Sequence, residues 1–173
     1  MAHIGVKSAF LLGAICLALG ASPAAAKGRE FLGGFRDWDA FVERRDKGEK
    51  NCYMISVPKE TAPKSVKRGE IYIIITHWPQ AKIRNQVNVV VGYPFKKDSV
   101  ATARIDKRSF RLFTDGDRAW AYDDKQDQEM TAAMKKGSKI VVEGESVRGT
   151  KTSDRYSLNG FSAALNAITK ACY

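Results

Sequence analysis

The stretch I-Y-I-I-I-T-H-W, residues 71–78, sets three consecutive isoleucines between a tyrosine and a threonine, and Pro79 follows it. β-branched and aromatic side chains fit a pleated surface, and successive residues point to opposite faces. A nearly unbroken apolar run of this length predicts a central strand covered on both faces, stopped by the proline. The segments on either side extend the pattern. N-C-Y-M-I-S-V, residues 51–57, puts Tyr53, Ile55 and Val57 on one face and Cys52 and Met54 on the other. F-R-D-W-D-A-F-V, residues 35–42, pairs with it across a turn holding Gly48, so the two read as a hairpin. Residues 27–34 read as a flexible lead-in, and the proline- and lysine-bearing residues 58–69 as a solvated connector.

Beyond Pro79, residues 86–91 form the next strand, broken by the glycine and proline of G-Y-P-F at Gly92, whose Tyr93 and Phe95 read as packing caps beside the turn, with a binding surface as the alternative. Residues 100–106 alternate and suit an edge strand. R-L-F at Arg111 and A-W-A-Y at Ala119 face each other across the T-D-G-D turn at Thr114. The period then changes. Acids lead and lysines close residues 123–137 before Gly137, which predicts a short helix near residues 126–136, with Met130 and Met134 on one face. Residues 138–147 are a strand pair or one strand kinked at Gly144. A threonine-rich strand follows, then a C-terminal helix with Phe161, Leu165, Ile168 and Cys172 at helical spacing and Asn159 or Ser157 as its cap. The expected fold is all-β: one antiparallel two-sheet β-sandwich domain over residues 27–173, with these two helices.

Residues 1–26 have the pattern of a secretory signal. Lys7 precedes an uncharged run over residues 9–21, and Ala24-Ala25-Ala26 offers a small-residue cleavage site. A run of 13 residues is short of the ~20 a membrane-spanning helix needs. Cleavage after Ala26 is expected, leaving no transmembrane segment and placing the protein in the periplasm, outside the cell or on the outer envelope. The signal takes one cation, Lys7, from the net charge of +10, leaving +9. Such an excess suits an anionic envelope surface. Nucleic acid is not an expected partner for an exported chain, whose cations are scattered without a run of five. A monomer is expected. Cys16 leaves with the signal, and Cys52 and Cys172 remain. An oxidising compartment favours a bridge between them, closing almost the whole chain; two free thiols are the alternative.

No nucleophile elbow, phosphate loop, dinucleotide fingerprint or paired-histidine motif is present. His77 is the only histidine after residue 26, and no adjacent histidine or cysteine makes it a metal ligand. Asp123, Asp124, Asp127 and Glu129 lack the spacing of a calcium loop and suit a helix N-terminus. No catalytic, cofactor or metal-binding residue is assigned, and no enzymatic activity is expected. The densest polar motif is R-G-T-K-T-S-D, residues 148–154. Arg148, Thr150, Thr152 and Asp154 either face a ligand, or form a turn and a hydrogen-bonded strand with Asp154 buttressing the final helix.

The stretch R-G-T-K-T-S-D-R-Y-S-L-N-G-F-S-A-A-L-N-A-I-T-K-A-C, residues 148–172, resembles the C-terminal signature of the invasion-associated locus B family of alphaproteobacterial exported proteins. G-Y-P-F at Gly92, A-W-A at Ala119, M-K-K-G at Met134 and the Phe35/Trp38 pair resemble it too, so the likeness runs along nearly all of residues 27–173. The resemblance implies a periplasmic or envelope-associated β-sandwich with no established activity, catalytic residue or cofactor. Its name comes from association with invasion of host cells. Many members carry a cysteine shortly after the tryptophan, where this chain has Phe41 and Val42. The resemblance therefore implies a single bridge, Cys52 to Cys172. The expected function is non-catalytic binding to an envelope protein or anionic envelope surface, assisting invasion in pathogens. The alternatives are an enzyme acting on envelope polymers and a periplasmic folding or stress accessory.

Overall fold

The computed structural model describes residues 28–45 and 48–173, so the expected signal at residues 1–26 lies outside the described residues. In chain order the elements are β1 (Gly28–Phe35), β2 (Trp38–Arg44), β3 (Lys50–Ser56), β4 (Glu60–Ala62), β5 (Tyr72–Trp78), β6 (Ile83–Val90), β7 (Val100–Ile105), β8 (Arg108–Asp115), β9 (Arg118–Trp120), α1 (Asp124–Lys136), β10 (Lys139–Glu145), β11 (Lys151–Ser157) and α2 (Phe161–Cys172). The strands form one antiparallel ladder in the order β1-β2-β3-β5-β6-β9-β8-β7-β10-β11-β4. The all-β antiparallel architecture and both helices are as expected. The two halves of the sandwich are continuous through β6 and β9, and the ladder curls until its ends meet. Trp38 Nε1 on β2 donates to the Ser157 carbonyl on β11 at 3.0 Å, and Lys59 Nζ beside β4 lies 2.5 Å from Asp37 Oδ1.

Alternation builds the core. Trp38, Ala40 and Val42, then Cys52 and Met54, then Ile73, Ile75 and His77, all turn inward and are buried. Val87, Val89, Leu112, Ile140 and Val142 continue the same inner face around the curl. The helices complete it. α1 contributes Met130 and Met134, and α2 contributes Phe161, Leu165, Ile168 and Cys172, so both predicted helical faces are the buried ones. Trp38 meets Phe161 edge-on at 5.0 Å between ring centroids, a favourable aromatic geometry. Cys172 at the end of α2 is bonded to Cys52 on β3, across a sequence separation of 120.

Several local expectations are corrected. Residues 28–35 are strand β1, paired with β2 and carrying a bulge between Phe31 and Gly33. Ladder hydrogen bonds use only the backbone, so a polar, glycine-rich segment serves as an edge strand. β5 is central but fully covered on one face only; on the other, Thr76 alone is buried. Tyr72, Ile74 and Trp78 on the outer face are half-buried, because antiparallel sheets tolerate a solvated side. β7 lies between β8 and β10, so its alternation marks an inner and an outer face, not an edge. β10 runs unkinked, and Gly144 makes room for Phe95, whose ring a Cβ would meet at 2.5 Å. Neither Ser157 nor Asn159 caps α2. Gly160 does, at φ +91, where a Cβ would fall 1.8 Å from the Phe35 carbonyl oxygen. Ser157 Oγ instead accepts the Asn159 N–H and shapes the approach.

Candidate functional site

Strand alternation puts Thr152, Asp154 and Tyr156 of β11 on the inner face and Lys151, Ser153 and Arg155 on the outer one. The inner three would be unsatisfied polar groups in an apolar core without partners from elsewhere. The segment between β4 and β5 supplies the main one. Arg68 Nη1 donates to Asp154 Oδ2 at 3.0 Å and Nη2 donates to Oδ1 in a bidentate pair, with side chains only 4% and 1% exposed. Arg68 thus pins a segment expected to be a solvated connector, and β4 within that segment pairs with β11. The turn after β6 supplies a second partner. Tyr93 Oη and Thr152 Oγ1 are 2.6 Å apart, and the Arg68 guanidinium stacks over the Tyr93 ring at 5.7 Å.

The two segments meet backbone to backbone. Gly69 N donates to the Gly92 carbonyl at 2.8 Å, and Gly92 has φ +72 with Gly69 atoms 2.7 Å from where its Cβ would stand. Only glycine allows this approach. Together with the β10–β11 turn they enclose a cavity of about 460 Å³. Its lining includes Lys67, Arg68, Tyr93, Arg148, Thr150 and Thr152, with Val66, Pro94 and Val147 as the apolar part. No carboxylate lines it. Lys67 and Arg148 are exposed and make no ion pair among the described residues.

Of the four residues singled out from the sequence, three come together here. Arg148 stands at the mouth, and Thr150 and Thr152 are on the wall. Thr150 N donates to Ser146 Oγ at 3.2 Å, which holds the turn. Asp154 lies behind the wall, paired to Arg68, and does not buttress α2. Arg68 and Lys67 were not foreseen, and Tyr93, one of the two aromatics beside the turn after β6, lines the cavity. Arg68 and Asp154 are 86 residues apart, and nothing local in either segment announces the other.

Burial pushes the Asp154 carboxyl up, and the Arg68 guanidinium opposes it. Burial also raises the Tyr93 hydroxyl, against the pull of its bond to Thr152. Tyr156 is fully buried, its hydroxyl finds no hydrogen-bond partner, and burial drives its ionisation far upward, so it stays protonated. The other strongly shifted groups are elsewhere. Burial lowers His77 to about 4, with Asn85 N donating to Nδ1 at 3.0 Å and Nε2 facing Thr169 Oγ1 at 3.0 Å. Burial raises Asp127 to about 7, where Val87 N donates to Oδ1 at 2.8 Å. Among the described residues no group of three or more histidine, cysteine or acidic side chains is placed to hold a metal ion. No described helix is long and apolar enough to cross a membrane.

Residues 38–169 match the family described as Invasion associated locus B (IalB) protein. No curated protein and no solved structure matches the chain. The match runs from Trp38, which anchors β2 to β11, to Thr169 on α2, and so takes in the strands from β2 to β11, α1, most of α2 and the cavity between residues 66–69, 92–94 and 146–152, while β1 and Cys172 lie outside it. The chain belongs to the invasion associated locus B family.

Proposed function

We propose that this protein works by binding, not by catalysis, in the periplasm or at the outer envelope of the cell, and that its partner is an anionic envelope component or an envelope protein with an acidic face. The observation that carries this reading is the composition of the cavity. Beside an apolar part it carries three cations and hydroxyl groups, with no carboxylate among the described residues that line it, and its buried charge, Arg68, is already neutralised by Asp154. A general base or an activated nucleophile needs a poised partner within hydrogen-bond reach. Here the buried acid is tied to arginine, while His77 and Asp127, both shifted toward neutrality, bond to other elements. The Cys52–Cys172 bridge and the family both suit an exported protein. In an invasive bacterium the same binding contributes to invasion of host cells, a part of the reading that the family description alone supports.

Crosslinking the protein in native envelopes, followed by pull-down, identifies the partner. Association with envelope fractions is expected to weaken steeply from about 0.05 M to about 0.5 M salt, since exposed charges are screened within a few ångströms at the upper value. Association that ignores salt, or none at any salt, refutes the proposal.

A further inference from the structure

Resting on that reading, the geometry points to a phosphate ester as the ligand of the cavity between residues 66–69, 92–94 and 146–152. We infer that a phosphoryl group sits among Lys67, Arg148 and the Arg68 side of the wall, with the rest of the ligand against Val66, Pro94 and Val147. Charge is the first argument. Three cationic side chains line one cavity with no lining acid, and two of them, Lys67 and Arg148, are free of ion pairs among the described residues. A phosphomonoester carries close to two negative charges and three acceptor oxygens. A carboxylate brings one charge and two oxygens, too little to occupy both free cations and the hydroxyl groups beside them.

The donors are the second argument. Arg68 uses two of its five N–H groups on Asp154 and makes no other hydrogen bond among the described residues. Its guanidinium is fixed by the bidentate pair and by stacking on Tyr93, so those donors are preorganised, not flexible. Thr150 adds a hydroxyl on the wall. Size is the third. A cavity of about 460 Å³ falls in the range of ligand sites and is far larger than inorganic phosphate alone. Its apolar portion then contacts the carbon skeleton carrying the phosphate.

The shared chemistry has two sources, a small soluble phosphate ester and a phospholipid headgroup, and one titration separates them. Amide resonances of the ¹⁵N-labelled protein are followed with glycerol 1-phosphate, with acetate at matched ionic strength, and with vesicles of phosphatidylcholine with or without phosphatidic acid, whose headgroup is a phosphomonoester. The expected result is saturable shifts at Lys67, Gly69, Arg148 and Gly149 with glycerol 1-phosphate and little change with acetate. Lys67→Ala/Arg148→Ala is expected to lose about tenfold or more in affinity, two charge-assisted contacts being removed. Both side chains are exposed, so its melting temperature should equal that of the wild type, whereas Arg104→Ala/Lys107→Ala, on β7 and the turn after it and outside the cavity lining, keeps full affinity. Further saturable binding to the phosphatidic acid vesicles but not to phosphatidylcholine alone assigns a headgroup; saturation by the soluble ester alone assigns a soluble ligand. Non-saturating shifts spread over scattered lysines, equal response to acetate, or undiminished affinity in the double variant overturns the inference. If that variant loses nothing yet salt-sensitive envelope binding persists, the cavity assignment falls and the binding function stands.

Discussion

Asp127 on α1 and His77 on β5 are both buried titratable side chains, and their effects on stability run in opposite directions with pH. Asp127 titrates near 7 in the folded protein, above its ordinary value of 3.8, so folding favours its neutral form. The folded state holds a proton there that the unfolded chain has lost, and stability falls as pH rises from about 4 to about 7. His77 titrates near 4, below its ordinary 6.5, so its contribution is present above 6.5 and is lost as pH falls toward 4. Between about 4 and 6.5 the two slopes offset each other. Asp127→Asn keeps an acceptor for the Val87 N–H and removes the ionisation. It should gain on the wild type by roughly 1 kcal/mol per pH unit as pH rises through that window, measured by urea unfolding at several pH values. A gap that stays constant across the window rules out Asp127 as the titrating group. The Arg68–Asp154 pair gives a second residue-level expectation. Asp154→Leu alone leaves a buried guanidinium unpaired and should cost about 3–5 kcal/mol, whereas Arg68→Met/Asp154→Leu should recover most of that loss. A double variant as unstable as the single one contradicts this account of the pair.

At the scale of elements, α2 holds the first half of the sheet by three different means. Its apolar face packs on β2 and β3, Lys50 Nζ donates to the Ala171 carbonyl at 2.7 Å, and Cys172 is bonded to Cys52. The bridge matters for its reach. With the cysteines 120 positions apart in sequence, cross-linking removes much of the unfolded chain's freedom, about 4–5 kcal/mol on the chain-entropy model. Cys52→Ser/Cys172→Ser should therefore unfold at a markedly lower urea concentration than the oxidised protein, and the reduced wild type should move the same way. Identical midpoints for all three would show that α2 docks by packing and hydrogen bonds alone. The start of the same helix shows a different constraint. The chain turns into α2 against the Phe35 carbonyl, so the position has a left-handed φ and no space for a side chain, which makes Gly160 its cap.

For the molecule as a whole, the ladder begins at β1 and ends at β4, and its ends are drawn together through Trp38, Asp37 and Lys59. That closure places the segments around residues 68, 93 and 148 at one end of the curl, where their cations gather. The strands and α2 were legible because periods of two and of 3.6 are local properties of backbone geometry. Phe161, Leu165, Ile168 and Cys172 are buried as their spacing requires, and Cys52 and Met54 turn inward opposite Tyr53 and Ile55. β1 was missed because pairing with β2 supplies the order that its own residues do not announce. Half of the site was legible for a similar reason. Arg148, Thr150, Thr152 and Asp154 stand out as a polar run, whereas Arg68 and Tyr93 are single residues in turn-like segments.

By itself, then, the sequence determined most of the stretches that extend, though not β1 or β4, the two that coil into α1 and α2, the apolar face of each helix, and which two cysteines lie after residue 26. These follow from side-chain volume, branching and spacing acting over a few residues. Only the tertiary structure decided that Asp154 meets Arg68 across 86 residues, that Thr152 meets Tyr93 across 59, and that three cations share one cavity without an acid. The physical reason is that such contacts depend on how the whole sheet curls and closes. A buried polar group takes its partner from whatever element that closure brings within hydrogen-bond reach.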